Sequence, residues 1–205
     1  MTYPTPTEYL GDVDSLAENI VSVYRDADAQ SLSDGACWYR QALGVASSLD
    51  ADAPARAAGV LAALSPQTSW EHNVRLARRA YATRFATGHT HLFCSRANAI
   101  LRDGCEPLSV LGGNKVRAFY ALISDPSDPS TVCVDRHAVA IALGRTLSQR
   151  ERKVLERAGA YEHVADAYRA AAATLGVLPS TVQAVTWLAW RKRTAAGWAR
   201  RDSLI

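Results

Sequence analysis

The sequence predicts an all-α domain of about nine or ten helices. Three observations carry that expectation. Apolar residues recur at helical spacing along most of the 205 residues. Glycine and proline fall between the periodic segments, where helices start and stop. No hairpin signal and no alternation of strand with helix interrupts the pattern.

Taken in order, the first helix is expected over residues about 12–29, with Leu16, Ile20, Val21 and Tyr24 on one face. A second covers about 33–49, capped by Ser33 or Asp34, with the stripe Cys37, Trp38, Gln41, Ala42 and Val45. A third, about 53–64, is alanine-rich and suits a closely packed, buried position. Ser65-Pro66-Gln67 breaks the chain. Thr68 to Glu71 then reads as a capping box, Thr68 at N-cap and Glu71 at N3, opening a helix to about residue 86. Its inward residues are Val74, Ala77 and Tyr81, and Arg75, Arg78, Arg79 and Arg84 form its solvent or ligand face.

Further helices are expected over 93–103, 113–124, 135–144, 148–158, 161–175 and 179–196, with a frayed tail beyond. Residues 104–112 and 125–130 read as loops. The run Thr131-Val-Cys-Val134 is too short to imply a sheet. Residues 1–54 are expected as a helical extension packed on a core of 55–196, followed by a basic tail, 197–205, the whole making one compact domain.

Composition narrows the function. The apolar fraction is 48% and the charged fraction 21%, ordinary for a globular protein. No apolar run reaches the length of a membrane span, and no signal peptide is apparent, so the cytosol is the expected compartment. Residues 1–60 carry nine acidic residues and three arginines; the rest carries 20 basic and 11 acidic residues. A basic body fits an anionic partner such as nucleic acid. The four cysteines show no metal-ligand spacing, and neither a disulfide nor a metal is expected. Cys37 and Cys133 sit in apolar runs that predict burial. His89-Thr-His91 has no cysteine or carboxylate in register with it.

Phosphate-loop, nucleophile-elbow, zinc-protease and EF-hand motifs are missing. Three helix starts bear polar side chains instead. The first is Ala63-Leu-Ser-Pro-Gln67-Thr-Ser-Trp70-Glu-His-Asn73. The second is Leu111-Gly-Gly113-Asn114-Lys115-Val-Arg-Ala118. The third is Val132-Cys-Val-Asp135-Arg136-His137-Ala-Val-Ala140. Brought to one cleft, such helix starts would favour an anion.

In order and spacing these segments resemble the helix-hairpin-helix/Gly-Pro-Asp DNA glycosylase superfamily, endonuclease III-like members in particular. Leu64-Ser-Pro-Gln67 matches its Leu-Ser-x-Gln, Val134-Asp-Arg-His137 its Val-Asp-x-His, and Ala184-Val-Thr-Trp-Leu-Ala-Trp190 its late Trp-Leu helix. The resemblance spans about residues 55–195 and implies a divergent member that needs no cofactor. Asp135 would be the essential acid, stabilising positive charge on the sugar as the N-glycosidic bond breaks. Lys115 would be the candidate amine nucleophile, lowered by burial. Gln67 would enter DNA beside a flipped base. Trp70, Asn73, Gly113, Asn114, Arg136 and His137 would contact substrate or DNA. The family's Leu-Pro-Gly hairpin is degenerate or missing here, and its iron–sulfur cysteines are absent.

Two alternatives stand beside cleavage. Phage relatives of this fold, the α-glutamyl/putrescinyl-thymine pyrophosphorylase group, are proposed to modify pyrimidines in DNA. A non-catalytic DNA-binding module would use Trp190-Arg-Lys-Arg193 and Trp198-Ala-Arg-Arg201 on phosphates and bases. Without the resemblance, Asp135 is a plain N-cap, Lys115 a surface residue, Gln67 a loop residue, and Trp187 and Trp190 core residues.

Overall fold

The computed structural model describes residues 5–202, with side chains as far as residue 195. The fold is all-α. The described residues contain no strand, eleven α-helices and one 3-10 helix, Glu151–Glu156. The α-helices are α1 (Pro6–Leu10), α2 (Val13–Arg25), α3 (Ala29–Leu49), α4 (Pro54–Leu64), α5 (Trp70–Thr83) and α6 (His91–Leu101). They continue with α7 (Pro107–Val110), α8 (Asn114–Ser124), α9 (Arg136–Ala142), α10 (Ala160–Leu175) and α11 (Pro179–Asp202). No single helix is long and apolar enough to cross a membrane.

The chain forms two compact units. One is Tyr39–Asp128; the other joins the described residues through Trp38 to those from Pro129 onward. The chain passes from one unit to the other within α3 and returns in the loop before Ser130.

In the discontinuous unit, α2 packs against α10, α11 and α9. Leu16 and Ile20 of α2 meet Val139 and Ile141 of α9, Val164 and Tyr168 of α10, and Val182 of α11 in one core. Ala165, Ala167, Ala171 and Ala172 are buried on α10, and such small side chains permit a close approach to α2. Gly35 makes the tightest crossing. A Cβ there would lie 2.6 Å from both the backbone N and the Cα of Val185.

In the continuous unit, α4 is the hub. Every residue from Ala57 to Leu64 is buried, against α5, α6, α7 and α8. A helix enclosed on all sides must be apolar around its whole circumference, and this explains its alanine-rich sequence. A Cβ on Gly59 would meet Cγ of Pro107 at 2.7 Å. Asp50, its side chain 9% exposed, joins three segments. It accepts from the Ala53 N–H, from Arg56 and from the Tyr81 hydroxyl. Burial pushes the Asp50 carboxyl up, but these donors together hold it below its ordinary value.

Several boundaries move for local reasons. The first expected helix ends at Arg25, and because Asp28 accepts the Ser31 N–H at 2.7 Å, α3 starts at Ala29, ahead of the expected residue 33. The buried stripe of α3 consequently runs through Ser31, Gly35, Tyr39, Ala42 and Ala46; Cys37, Trp38 and Val45 are half-buried and Gln41 is exposed. Cys133 is buried as expected, whereas Cys37 is not. Residues 104–112 contain α7. The helix expected over 148–158 is only a 3-10 turn. Val154 is its one buried residue, too little for an apolar face, and Glu151 is taken up by Arg145 and Ser148. The last helix runs through to Asp202, past the expected end at 196. The side chains of the basic tail, Trp198 included, lie outside the described residues.

Candidate active site

The expected site residues divide between the units. Asp135, Arg136 and His137 belong to the discontinuous unit. Gln67, Trp70, Asn73, Gly113, Asn114 and Lys115 belong to the continuous one.

The extended run Val132–Val134 delivers Asp135. All three residues are buried, yet they have no strand to pair with. Tyr161 of α10 takes the place of one. Its hydroxyl donates to the Val132 carbonyl at 2.8 Å and accepts from the Val134 N–H at 3.2 Å. Burial pushes the Tyr161 phenol above its ordinary range, which keeps the proton in place for that donation. Asp135 then caps α9. Its Oδ1 accepts from the N–H groups of His137 at 2.8 Å and Ala138 at 2.9 Å. Among the described residues nothing donates to Oδ2. The side chain is half-buried, and Arg136 beside it is exposed.

His137 lies edge-on to Trp187 of α11, ring centroids 6.5 Å apart. The Arg191 guanidinium sits over the Trp187 ring, 4.5 Å from its centroid. Trp187 and Trp190 are half-buried rather than enclosed. Beneath lies Tyr168, fully buried, its hydroxyl 3.5 Å from Thr186 Oγ1. Burial pushes the Tyr168 phenol up, and the Asp135 charge adds to the effect.

In the continuous unit, the break after α4 is held from outside. The His89 ring bonds the Pro66 carbonyl through Nε2 at 2.8 Å. Gln67 is exposed and takes a left-handed backbone, φ 61°. This turn delays the helix by one residue. Ser69, not Thr68, is the N-cap and accepts the His72 N–H, so Glu71 does not close the expected capping box. Trp70 stands edge-on to Phe119, centroids 6.3 Å apart, which ties the start of α5 to α8. Asn73 is not a surface contact. It is 1% exposed and donates through Nδ2 to the Leu61 carbonyl. Its buried Oδ1 has no protein partner.

Gly113 caps α8 with φ 79°, a conformation that favours glycine. Arg117 donates to the carbonyls of Leu108 and Leu111, holding α7 against the glycine turn. Asn114 and Lys115 follow on the exposed first turn of α8. The burial expected for Lys115 is therefore not found.

Tyr161 had no signal in the sequence, and Arg191 was marked only as part of the basic Trp190-Arg-Lys-Arg193 segment. Tyr161 lies 27 residues beyond Val134, and nothing local distinguishes it from another apolar-face tyrosine.

The architecture is thus that of an all-α protein with a half-buried aspartate at a helix start, preceded by a backbone run that a tyrosine holds, and followed by a histidine that meets a Trp–Arg pair. The chain belongs to DUF7178, a family of unknown function whose signature covers residues 7–194. No curated protein and no solved structure matches it.

Proposed function

We propose that the protein is a DNA glycosylase-like enzyme that acts on a base in DNA, with Asp135 as its essential acid. The supporting observation is the Asp135 carboxylate. One oxygen is fixed by two backbone N–H groups, and the other has no donor among the described residues. Cleavage of a glycosidic bond builds positive charge on the sugar, and a carboxylate fixed in advance stabilises that charge or orients the attacking water. The base leaves with the bonding electrons and takes up a proton, while water adds to C1′. Arg136, exposed beside the acid, is suited to a phosphate. Gln67, Gly113, Asn114 and Lys115, exposed on the continuous unit, and the half-buried Trp70 and His137 are the remaining candidates for DNA contact. Lys115 is the one candidate amine.

Asp135→Asn tests the reading, because asparagine caps a helix about as well as aspartate. The variant keeps the fold and loses the charge. Wild type and variant are incubated with DNA containing normal, damaged, and hydroxymethylated or pyrophosphorylated pyrimidines. Nucleosides and released bases are then analysed by mass spectrometry. Release of a free base, slowed about 10²–10³-fold in the variant, is the expected result. A nucleoside of new mass with pyrophosphate released assigns base modification instead. DNA binding with neither product leaves a binding module.

A further inference from the structure

The chain's net charge of +3 resides entirely in residues 39–128, which carry ten basic and seven acidic residues; the remainder balances at thirteen of each. Within that unit the charge gathers on α5. Its inner face, Asn73, Val74, Leu76, Ala77 and Ala80, is buried. Its outer face presents Arg75, Arg78 and Arg79, all exposed. Arg75 and Arg79 are one helical turn apart, about 6 Å along the axis. Arg84 and Phe85 continue the surface, with Phe85 44% exposed and the Arg102 guanidinium 5.3 Å from its ring centroid.

Two features separate this surface from an ordinary solvated face. The side chains of Arg75, Arg78 and Arg84 have neither an ion pair nor a hydrogen bond among the described residues, and Arg79 bonds only the Thr87 carbonyl. Arg84 also occupies a left-handed C-cap, φ 55°, where glycine costs least. An arginine at that position gives up stability, which points to a use for its side chain.

We infer that the outer face of α5, with Arg84, Phe85 and Arg102, is a nucleic-acid contact surface that binds the phosphate backbone. The partner is a polyanion and not a lipid surface, because the helix buries its apolar face and leaves only one large apolar side chain among the arginines. The inference stands on charge and exposure. It takes from the proposed function only the choice of DNA as probe.

The test measures binding of the full chain to a labelled 20-base-pair duplex by fluorescence anisotropy between 0.1 and 1 M salt. Wild type is compared with the triple variant Arg75→Gln, Arg78→Gln, Arg84→Gln. Glutamine preserves helix propensity, and circular dichroism verifies the fold. Each phosphate contact contributes about 0.9 to the slope of log K against log salt. The triple variant is expected to lose about three from that slope and several hundredfold in affinity at about 0.1 M salt. A single Arg84→Gly variant is expected to bind more weakly while unfolding at higher denaturant.

An unchanged slope in the triple variant overturns the inference. So does a wild type that binds phosphatidylserine vesicles but not DNA. Base release assayed on the same samples separates the two claims. Product with an unchanged slope sinks this surface and leaves the reaction standing. A lost slope without product upholds the surface and sinks the reaction.

Discussion

The hydroxyl of Tyr161 is held between the carbonyl of Val132 and the N–H of Val134, at 2.8 and 3.2 Å. One side chain thus bonds both the carbonyl of Val132 and the N–H of Val134 in a buried, extended stretch of backbone. Removing the hydroxyl leaves the buried Val132 carbonyl and Val134 N–H with only their mutual 3.2 Å hydrogen bond, and under-satisfied buried groups cost about 1–3 kcal/mol. Tyr161→Phe is therefore expected to lower the midpoint of urea unfolding. In the proposed reaction Tyr161 is a positioning residue for Asp135. The variant is expected to slow base release with little change in KM.

Asp135 carries a cap as well as the proposed chemistry, and two substitutions separate them. Asp135→Ala removes the acceptor of the His137 and Ala138 N–H groups and is expected to cost about 1 kcal/mol of stability. Asp135→Asn is expected to remain within about 0.5 kcal/mol of wild type while losing activity as completely as alanine. Denaturant titration of both, beside the activity assay, checks this. Equal activity in the two proteins and wild type would show that Asp135 is a cap alone.

Close helix crossings predict a graded pair. A methyl on Gly59 meets the Pro107 ring, which has some room to shift; a methyl on Gly35 meets the backbone of Val185. Overpacking costs about 1–3 kcal/mol where side chains adjust. Gly59→Ala is expected within that range and Gly35→Ala above it. The order of their unfolding midpoints tests the geometry, and a Gly35→Ala protein as stable as wild type contradicts it.

Alkaline pH should weaken the fold. The Tyr81 phenol is pushed up to about 12, by burial first and by the neighbouring Asp50 charge second. In the unfolded chain it ionises near 10. Between about pH 10 and 12 the folded state thus holds a proton the unfolded state has lost, and stability falls as pH rises. Tyr161 and Tyr168, raised further, extend the decline. Unfolding midpoints from pH 8 to 12 should fall less steeply for Tyr81→Phe. Equal slopes would remove Tyr81 from the effect.

Much of the helical frame was legible because its signals are local. The alanine-rich stretch 53–64 announced an enclosed helix, and Gly113, Gly176 and Pro179 mark the helix boundaries expected of them. Where neighbouring residues can all cap a helix, local signals do not fix its start. Ser33 or Asp34 and Thr68 are the caps expected from the sequence, whereas Asp28 and Ser69 accept the first-turn N–H groups in the structure; only the path of the preceding turn decides. The Pro6–Leu10 helix went unseen because five residues give no period. At the candidate site, Asp135 at a helix start was readable from the apolar run before it. The exposure of Lys115, the burial of Asn73 and the Tyr161 clamp were not, since each depends on residues distant in sequence.

The insertion of residues 39–128 between the two halves of the other unit orders events on the ribosome. Val13–Arg25 leaves the exit tunnel before the continuous unit, yet its packing partner Ala160–Leu175 follows only after that whole unit has been made. At about 5–20 residues per second that wait is on the order of ten seconds. For that interval Leu16, Ile20 and Val21 have no native surface to cover them, while the unit built around α4 already has its full sequence. Helices made ahead of the continuous unit are thus buried only after it, and the apolar face of α2 waits for α10.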